Sequence, residues 1–279
     1  MNPAEEARRK IASAPADLRF AALFAPRAQR KALIALLAVY VEIHEILREC
    51  SDAGVARAKL AWWREEIALL AAHRARHPLA RNLVPYLPDS PAVIELLSGV
   101  VTGAERDVAP PAFALFQDVE GYCRHRGGVL TQLAAMIAGA QHRTTLQAAG
   151  NFGIAWQLAD ILVQTGAHAN HGRVYFAAQD LRKYGLERHI IDGAHTDSGL
   201  KALLDDYAQR AHAYAQEPAP RTGIEPETLS VARIVARLAL LRLKKFSASG
   251  YDTARAPVEL QPLARLLTAW RAARWSRSG

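Results

Sequence analysis

Apolar residues recur at helical spacing along nearly every long segment of the chain, and this pattern limits the possible fold most strongly. Three of these segments carry Leu33, Leu36, Leu37, Tyr40, Val41 and Ile43; Leu60, Trp63, Ile67 and Leu70; and Leu133, Met136, Ile137 and Ala140. Intervals of three and four residues place such side chains on one face of an α-helix. No segment alternates polar and apolar residues over the length of a strand, so we expect no significant sheet. The pattern predicts an all-α protein of about eight to ten helices in a bundle, with residues 1–279 in a single domain.

Basic residues outnumber acidic ones and give a formal net charge of +8. A basic surface favours anionic partners, among which the charge alone does not choose. A solvated basic surface with no specific partner explains the same charge. Hydrophobic residues make up 51% of the chain, which is typical of a globular protein and excludes a disordered one.

The sequence features that bear on location are few. Cys50 and Cys123 are too few and too far apart for a disulfide framework or a thiolate metal site, which fits a reducing compartment. The longest apolar run, Ala32–Val41, has ten residues, whereas a membrane-spanning helix needs about twenty. The first twenty residues hold charged side chains and no apolar run, so we expect no secretory signal. We predict a cytoplasmic protein that is soluble or binds peripherally at the inner membrane surface.

Two helical segments, Ala38–Glu49 and Gln157–Tyr175, stand among short motifs in a specific order. Those motifs are Arg19-Phe20, Pro26–Val41, Lys59–Glu66, Gly121–Cys123, Gly127-Gly128, Gly172–Tyr175 and Ser249–Asp252. Their order and spacing over nearly the whole chain resemble the squalene/phytoene synthase family, which joins two prenyl diphosphates head to head. The resemblance implies a terpenoid-synthase-like helical bundle around a central apolar cavity. In that family each of the two segments carries aspartates four residues apart, which hold Mg²⁺ on the diphosphate.

The four positions that match those aspartates carry no acid in this chain: they are His44, Arg48, Gln164 and His168. Mg²⁺ prefers carboxylate oxygens and retained waters, and it offsets the charge of the departing diphosphate. Arg48 would repel a divalent cation and cannot lose its proton. The sequence therefore predicts that the acidic cage is lost, that no residue can be assigned a catalytic role, and that no metal or cofactor is bound.

A metal site displaced by one residue is the main alternative. Glu45 and Glu49 are four residues apart, and Glu42 precedes them. One position along a helix turns the side chain by about 100°, so these acids face another way, and Asp160 across the cavity stands alone. A solvated or salt-bridged helix face explains the glutamates better, and Mg²⁺ would be a cofactor only under this alternative.

Three histidines raise the separate hypothesis of a transition-metal site. His168 and His171 are three residues apart, and the resemblance sets His44 on the facing helix. Such a site needs three or four convergent ligands with ordered neighbours. Because we expect His168 and His171 to lie in a loop, solvent-facing imidazoles are the preferred interpretation.

Five polar residues in the matched motifs are candidates for ligand binding: Tyr122, Gln157, Asp160, Arg173 and Tyr175. The resemblance implies that the positions of Tyr122, Gln157 and Arg173 line the cavity, bind diphosphate or order the site. Two other interpretations stay open. Tyr122 and Gln157 can be buried polar groups bonded to backbone, and Arg173 can pair with an Asp or Glu.

The leading functional hypothesis is a non-catalytic relative, similar to the branch that includes a mitochondrial complex I assembly factor. That resemblance implies an isoprenoid- or lipid-binding or assembly-helper role, with Arg48, His44 and Arg173 near an anionic head group. We predict a prenyl or lipid ligand, an anionic membrane surface or a protein as partner, and no nucleic acid. The basic, aromatic segment Trp270–Arg277 is suited to a membrane interface. The alternatives are an active head-to-head prenyltransferase with an atypical metal site, and a scaffold with a filled cavity.

Overall fold

The computed structural model describes residues 2–188, 191, 195–217 and 223–275, and these residues form fourteen α-helices. In chain order they are α1 (Pro3–Lys10), α2 (Ala16–Phe24), α3 (Arg27–Glu49), α4 (Ala53–Ala71), α5 (Pro78–Leu83), α6 (Pro91–Glu105), α7 (Phe116–Cys123), α8 (Val129–Ile137), α9 (Arg143–Val163), α10 (Thr165–Ala169), α11 (Ala178–Lys183), α12 (Ser198–Tyr214), α13 (Ser230–Ala248) and α14 (Pro262–Trp275). A π-helical turn, Arg124–Gly128, joins α7 to α8. Within these ranges the β-structure is one isolated bridge, Phe113 with Ala177. The predicted all-α class is confirmed.

The two helices that carry the matched segments differ in how deeply they are buried. α3 has an apolar stripe that packs inward and a polar face that carries Glu42 and Arg48. α9 is buried on almost every side, from Thr145 to Val163, as expected for a helix at the centre of a bundle. The motif positions on or beside α9 are therefore enclosed by other helices, whereas α3 brings one face to solvent.

Gly127 and Gly153 bring the π-helical turn and α9 into direct backbone contact. A Cβ atom on Gly127 would lie 2.3 Å from the carbonyl oxygen of Gly153, and one on Gly153 would lie 2.4 Å from that of Gly127. Atoms do not approach that closely, so both positions require glycine. The contact fixes the backbone next to Arg126 and Gln157.

Helices α12, α13 and α14 form the side of the molecule away from α3. α13 packs against α9 and α14, and α12 packs against α9 as well. α14 buries Ala269 and Ala272 and leaves Leu263, Leu266, Leu267 and Trp270 exposed. Among the described residues, no helix combines the length and apolarity that a membrane crossing requires.

Candidate functional site

Asp107, a buried residue just after α6, is the centre of a polar cluster. The hydroxyl of Tyr122 donates to both carboxylate oxygens of Asp107 at 2.9 and 3.0 Å, and that of Tyr175 donates at 3.0 Å. Two arginines complete the set. Arg126 Nε lies 3.3 Å from Asp107 Oδ2, and Arg173 Nη2 donates to the Asp107 carbonyl at 2.9 Å. The Asp107 carboxylate thus forms an ion pair with Arg126 and lies 3.8 Å from the guanidinium of Arg173.

His44 joins this cluster through Arg126. The Nη1 atom of Arg126 donates to His44 Nδ1 at 2.7 Å, and a guanidinium can only donate, so the imidazole proton is on Nε2. Burial, and then the charge of Arg126, lower the pKa of His44 well below its ordinary value, which leaves the ring neutral at pH 7. Tyr40 stacks edge-on against His44 and donates to the Arg126 carbonyl at 3.0 Å. We call His44, Asp107, Tyr122, Arg126, Arg173 and Tyr175 the central cluster.

His168 lies against the central cluster. It is in the short helix α10, and its ring centroid is 4.7 Å from that of Tyr175. Its Nδ1 is buried, and burial lowers the pKa of His168. The expectation of a solvent-facing loop residue is therefore wrong for His168, although it holds for His171, which is exposed. The pocket behind His168 and Tyr175 has no room for a water molecule.

Asp160 and Gln164 belong to a second network beside the first. Gln164 Nε2 donates to Asp160 Oδ2 at 2.6 Å, and Arg242 Nη1 donates to Asp160 Oδ1 at 3.1 Å. The other end of the Arg242 guanidinium donates to Asp17 at 2.7 Å. Burial raises the pKa of Asp17, although Arg242 opposes the shift. One arginine therefore bridges a carboxylate of α2 and a carboxylate of α9.

Arg48 does not reach the central cluster, which contradicts its predicted place near His44 and Arg173. Its side chain is 68% exposed and donates to Glu45 at 2.7 Å. It lies one residue before the end of α3 and bends back along the helix surface. Glu45 and Glu42 both pair with Lys10 of α1. Burial opposes the charge of Glu45, but the contacts with Lys10 and Arg48 outweigh it and leave the pKa of Glu45 lowered.

The residues at the four matched positions do not fit a Mg²⁺ ion. His44 faces a guanidinium at 2.7 Å, Gln164 is bonded to Asp160, and His168 packs on an aromatic ring. Mg²⁺ binds carboxylate and water oxygens, none of these residues offers a free carboxylate, and the guanidinium beside His44 would repel the ion. Within the part of the chain that the structure describes, no three His, Cys, Asp or Glu side chains are grouped as metal ligands would be.

The structure brings together most of the predicted ligand-binding residues. Tyr122, Arg173 and Tyr175 meet at Asp107, and Asp160 lies in the neighbouring network. Gln157 is buried on α9 beside the backbone of Gly127. Of the interpretations left open, Tyr122 is bonded to the Asp107 side chain and not to backbone, and Arg173 lies 3.8 Å from the Asp107 carboxylate, as in a pairing with an acid.

Sequence reasoning missed four residues that organise the site: Asp17, Asp107, Arg126 and Arg242. Arg126 stands directly before the Gly127-Gly128 pair, and that neighbouring motif is the one local signal that could have drawn attention to it. No comparable signal surrounds the other three.

Known proteins resemble this chain in sequence. Residues 16–269 match the family model described as squalene/phytoene synthase. Among curated proteins, the chain is 22% identical over 225 residues to a 15-cis-phytoene synthase of Synechococcus elongatus, covering 76% of this chain and 73% of that protein. It is 21% identical over 193 residues to NADH dehydrogenase (ubiquinone) complex I, assembly factor 6, of Mus musculus, covering 69% of this chain and 58% of that protein.

Solved structures show the same fold. A dehydrosqualene synthase in complex with ligand superimposes with a TM-score of 0.78 at 16% identity, covering 99% of this chain and all of that one. Squalene synthase HpnC from Alicyclobacillus acidocaldarius superimposes with a TM-score of 0.77 at 20% identity, covering 90% of this chain and 95% of that one. These similarities establish a terpenoid-synthase-like helical architecture.

Proposed function

This chain belongs to the squalene/phytoene synthase family, and we propose that it is a non-catalytic member that binds lipid at a membrane surface. The proposal depends mainly on the guanidinium of Arg126. This group is hydrogen-bonded to His44, at one matched position, and forms an ion pair with Asp107. Expelling a diphosphate requires positive charge that is free to bind it. Here the inward-facing cations are already committed to carboxylates of the same chain.

The buried arginines around the central cluster are already paired with carboxylates of the same chain, and this supports the proposal. Arg126 and Arg173 share Asp107, and Arg242 is held between Asp17 and Asp160. A diphosphate entering this space would have to displace a buried carboxylate from its arginines. Breaking a buried ion pair leaves one charge without compensation, at a cost of about 3–5 kcal/mol. The interior is therefore a poor diphosphate site with or without metal.

The surface of α14 supports a role at a membrane. Leu263, Leu266, Leu267 and Trp270 follow one another at helical spacing and are 67%, 45%, 43% and 43% exposed. Arg271 and Arg274 continue the same helix. An amphipathic helix of apolar and basic residues binds in the interfacial plane of an anionic bilayer. The last two residues of the predicted segment, Ser276 and Arg277, lie outside the described residues.

The experiment that tests the proposal measures turnover. We expect no pyrophosphate release and no coupled hydrocarbon when the purified protein is incubated with farnesyl or geranylgeranyl diphosphate and Mg²⁺ or Mn²⁺. A known phytoene synthase, assayed in parallel, is the positive control. Turnover that disappears in Glu45→Ala or Glu49→Ala would overturn the proposal in favour of an active prenyltransferase with an atypical metal site.

The assembly-helper hypothesis makes a different prediction about ligands. It draws support from the similarity to the mouse complex I assembly factor. A pure scaffold should carry no lipid after purification, and prenyl or acyl ligands should not shift its melting temperature. Native mass spectrometry of the purified protein separates this scaffold from the lipid-binding protein that we propose.

A further inference from the structure

A groove of about 690 Å³ lies between α12, α13 and α14, and we call it the outer groove. Leu240, Leu241 and Leu243 of α13 form its apolar wall, together with Ala208 of α12 and Ala272 of α14. Its volume is within the range of about 300–1,000 Å³ that small-molecule sites occupy. Apolar walls of this size require a ligand with a substantial apolar portion.

The outer groove is separate from the Asp17–Arg242–Asp160 network because the two use different faces of α13, and the central cluster has no residue on this helix. Arg233, Arg237, Leu240 and Lys244 line the groove at intervals of three and four residues and so share one helix face. Arg242 is two positions before Lys244 and reaches Asp17 and Asp160 instead. A ligand in the outer groove therefore leaves the ion pairs of the interior untouched.

Arg233, which lines this groove, is a buried cation with an unused N–H donor. Only 2% of the residue is exposed, and its Nε donates to Glu217 at 2.9 Å. Arg237 donates to the same Glu217 oxygen at 3.2 Å, so one carboxylate serves two guanidinium groups. Within the described part of the chain, Arg233 Nη1 has no hydrogen-bond partner. A buried guanidinium with an unsatisfied N–H calls for a further acceptor.

The charges around the groove show which sign that acceptor has. Four cationic side chains line it, those of Arg233, Arg237, Lys244 and Arg271, against two acidic ones, Asp205 and Glu217. Asp205 already accepts from the hydroxyl of Tyr251 at 3.1 Å. The outer groove therefore has a positive excess next to an apolar wall, and guanidinium groups bind phosphate and carboxylate through paired N–H donors.

We propose that the outer groove binds one molecule of a single-chain anionic lipid, with its head group at Arg233 and Arg237 and its chain along the leucines of α13. This inference rests on the proposed lipid-binding function and gives that function a site and a ligand class. α14, whose Thr268, Arg271 and Ala272 line the groove, carries the exposed apolar stripe on its outer side. A lipid can thus pass between a membrane surface and the groove along one helix.

The test titrates oleoyl lysophosphatidic acid, kept below its aggregation concentration, into the full chain and counts bound molecules by native mass spectrometry. Inorganic phosphate supplies the head group alone, and an uncharged monoglyceride of the same chain supplies the tail alone. We expect one lysophosphatidic acid per chain and at least about tenfold weaker binding of either fragment. Equal binding of phosphate or of monoglyceride, or no binding of the whole lipid to folded protein, would overturn the proposal.

Neighbouring lysines provide a matched pair of variants. Lys244 lines the outer groove and Lys245 does not, and both are exposed on α13. Lys244→Glu should weaken lysophosphatidic acid binding about tenfold, whereas Lys245→Glu should change it by less than about twofold. Equal losses in both variants would indicate attraction to the overall charge and refute a built site.

Arg233→Met is the stronger variant, because it removes the buried head-group donor while Arg237 keeps Glu217 paired. It should abolish binding, and its melting curve shows whether it has folded. If it does not fold, the Lys244 and Lys245 comparison still decides the proposal. Failure of lipid binding here leaves the turnover assay unaffected, so the groove and the non-catalytic assignment stand or fall separately.

Discussion

The central cluster and the outer groove contain the same kinds of side chain, yet they can do different things. In the central cluster Asp107 holds two tyrosines and two arginines, and the space behind Tyr175 does not admit a water molecule. In the outer groove one carboxylate serves two arginines and about 690 Å³ remains open. Each region holds a buried arginine N–H without a hydrogen-bond partner among the described residues, Arg126 Nε and Arg233 Nη1. The capacity for a ligand therefore depends on the open space beside the arginines, which the outer groove has.

The largest effect should come from Asp107→Ala, because this change leaves Arg126 and Arg173 without their shared carboxylate. We expect the free energy of unfolding to fall by about 3–5 kcal/mol, measured by urea denaturation. The matched control is Asp205→Ala, which removes an exposed carboxylate at the outer groove and should cost less than about 1 kcal/mol. Similar losses in the two variants would break the contrast between the regions.

Arg242→Met should rank second. It leaves the buried Asp17 without its cation, but burial already raises the pKa of Asp17, so this carboxyl can take up a proton. The remaining cost is that of an unsatisfied buried acceptor, about 1–3 kcal/mol. Adding Asp17→Asn to this variant removes the orphaned charge and should restore part of the loss. If the double variant is no more stable than Arg242→Met alone, the bridge between α2 and α9 does not depend on charge pairing.

The free energy of unfolding should depend on pH because His44 and His168 are held neutral in the folded protein. Burial and Arg126 hold the pKa of His44 below its unfolded value, and burial does the same for the pKa of His168. Their contribution is complete above about pH 6.5 and is lost as the pH falls below that value, because the unfolded chain then binds protons that the folded chain does not. His44→Gln keeps an acceptor for Arg126 and should reduce the slope of unfolding free energy against pH by about 1.4 kcal/mol per unit near pH 5.5.

The control for this measurement is His142→Gln, a change at an exposed histidine outside the central cluster, which removes neither the burial of His44 nor its contact with Arg126. All other residues are the same in every variant, so a difference in slope between the variants reports the substituted histidine. An unchanged slope in His44→Gln would mean that His44 is protonated in the folded protein.

The smallest effect should come from Arg237→Met in the outer groove. Its side chain is 43% exposed, and Glu217 keeps Arg233 as a partner. We expect a change of less than about 0.5 kcal/mol in the free energy of unfolding. The same substitution at Arg126 in the central cluster should cost several times more. A large loss of unfolding free energy in Arg237→Met would show that Arg237 stabilises the packing of the helices, and that it is not free to bind a ligand.

The fold could be predicted from the sequence further than the site could. Helical spacing is a local signal, and it identified the apolar faces of α3, α4 and α8, with the matched motifs adding the bundle. The site depends on contacts between residues far apart in the chain. Arg126 meets His44 across 82 positions, and Arg242 meets Asp17 across 225. No local pattern reports such partners.

Two arginines show why it was also hard to predict which way a helical side chain points. Arg124 and Arg126 are two residues apart in the π-helical turn, yet Arg124 pairs with Glu120 near the surface and Arg126 turns inward. Spacing rules for an ordinary α-helix do not apply to this wider turn. Arg48 was misplaced for another reason: near a helix end its long side chain finds Glu45 one turn back.

The backbone contact between Gly127 and Gly153 limits how the interior can respond to a substitution at Arg126. No residue larger than glycine fits at either position, because its Cβ atom would lie within 2.4 Å of the facing carbonyl oxygen. Cutting Arg126 back to alanine should therefore leave a hollow next to a main chain that cannot close in. His44 and Asp107 border that hollow, and a polar hollow takes up water, so the variant should gain ordered water in its core.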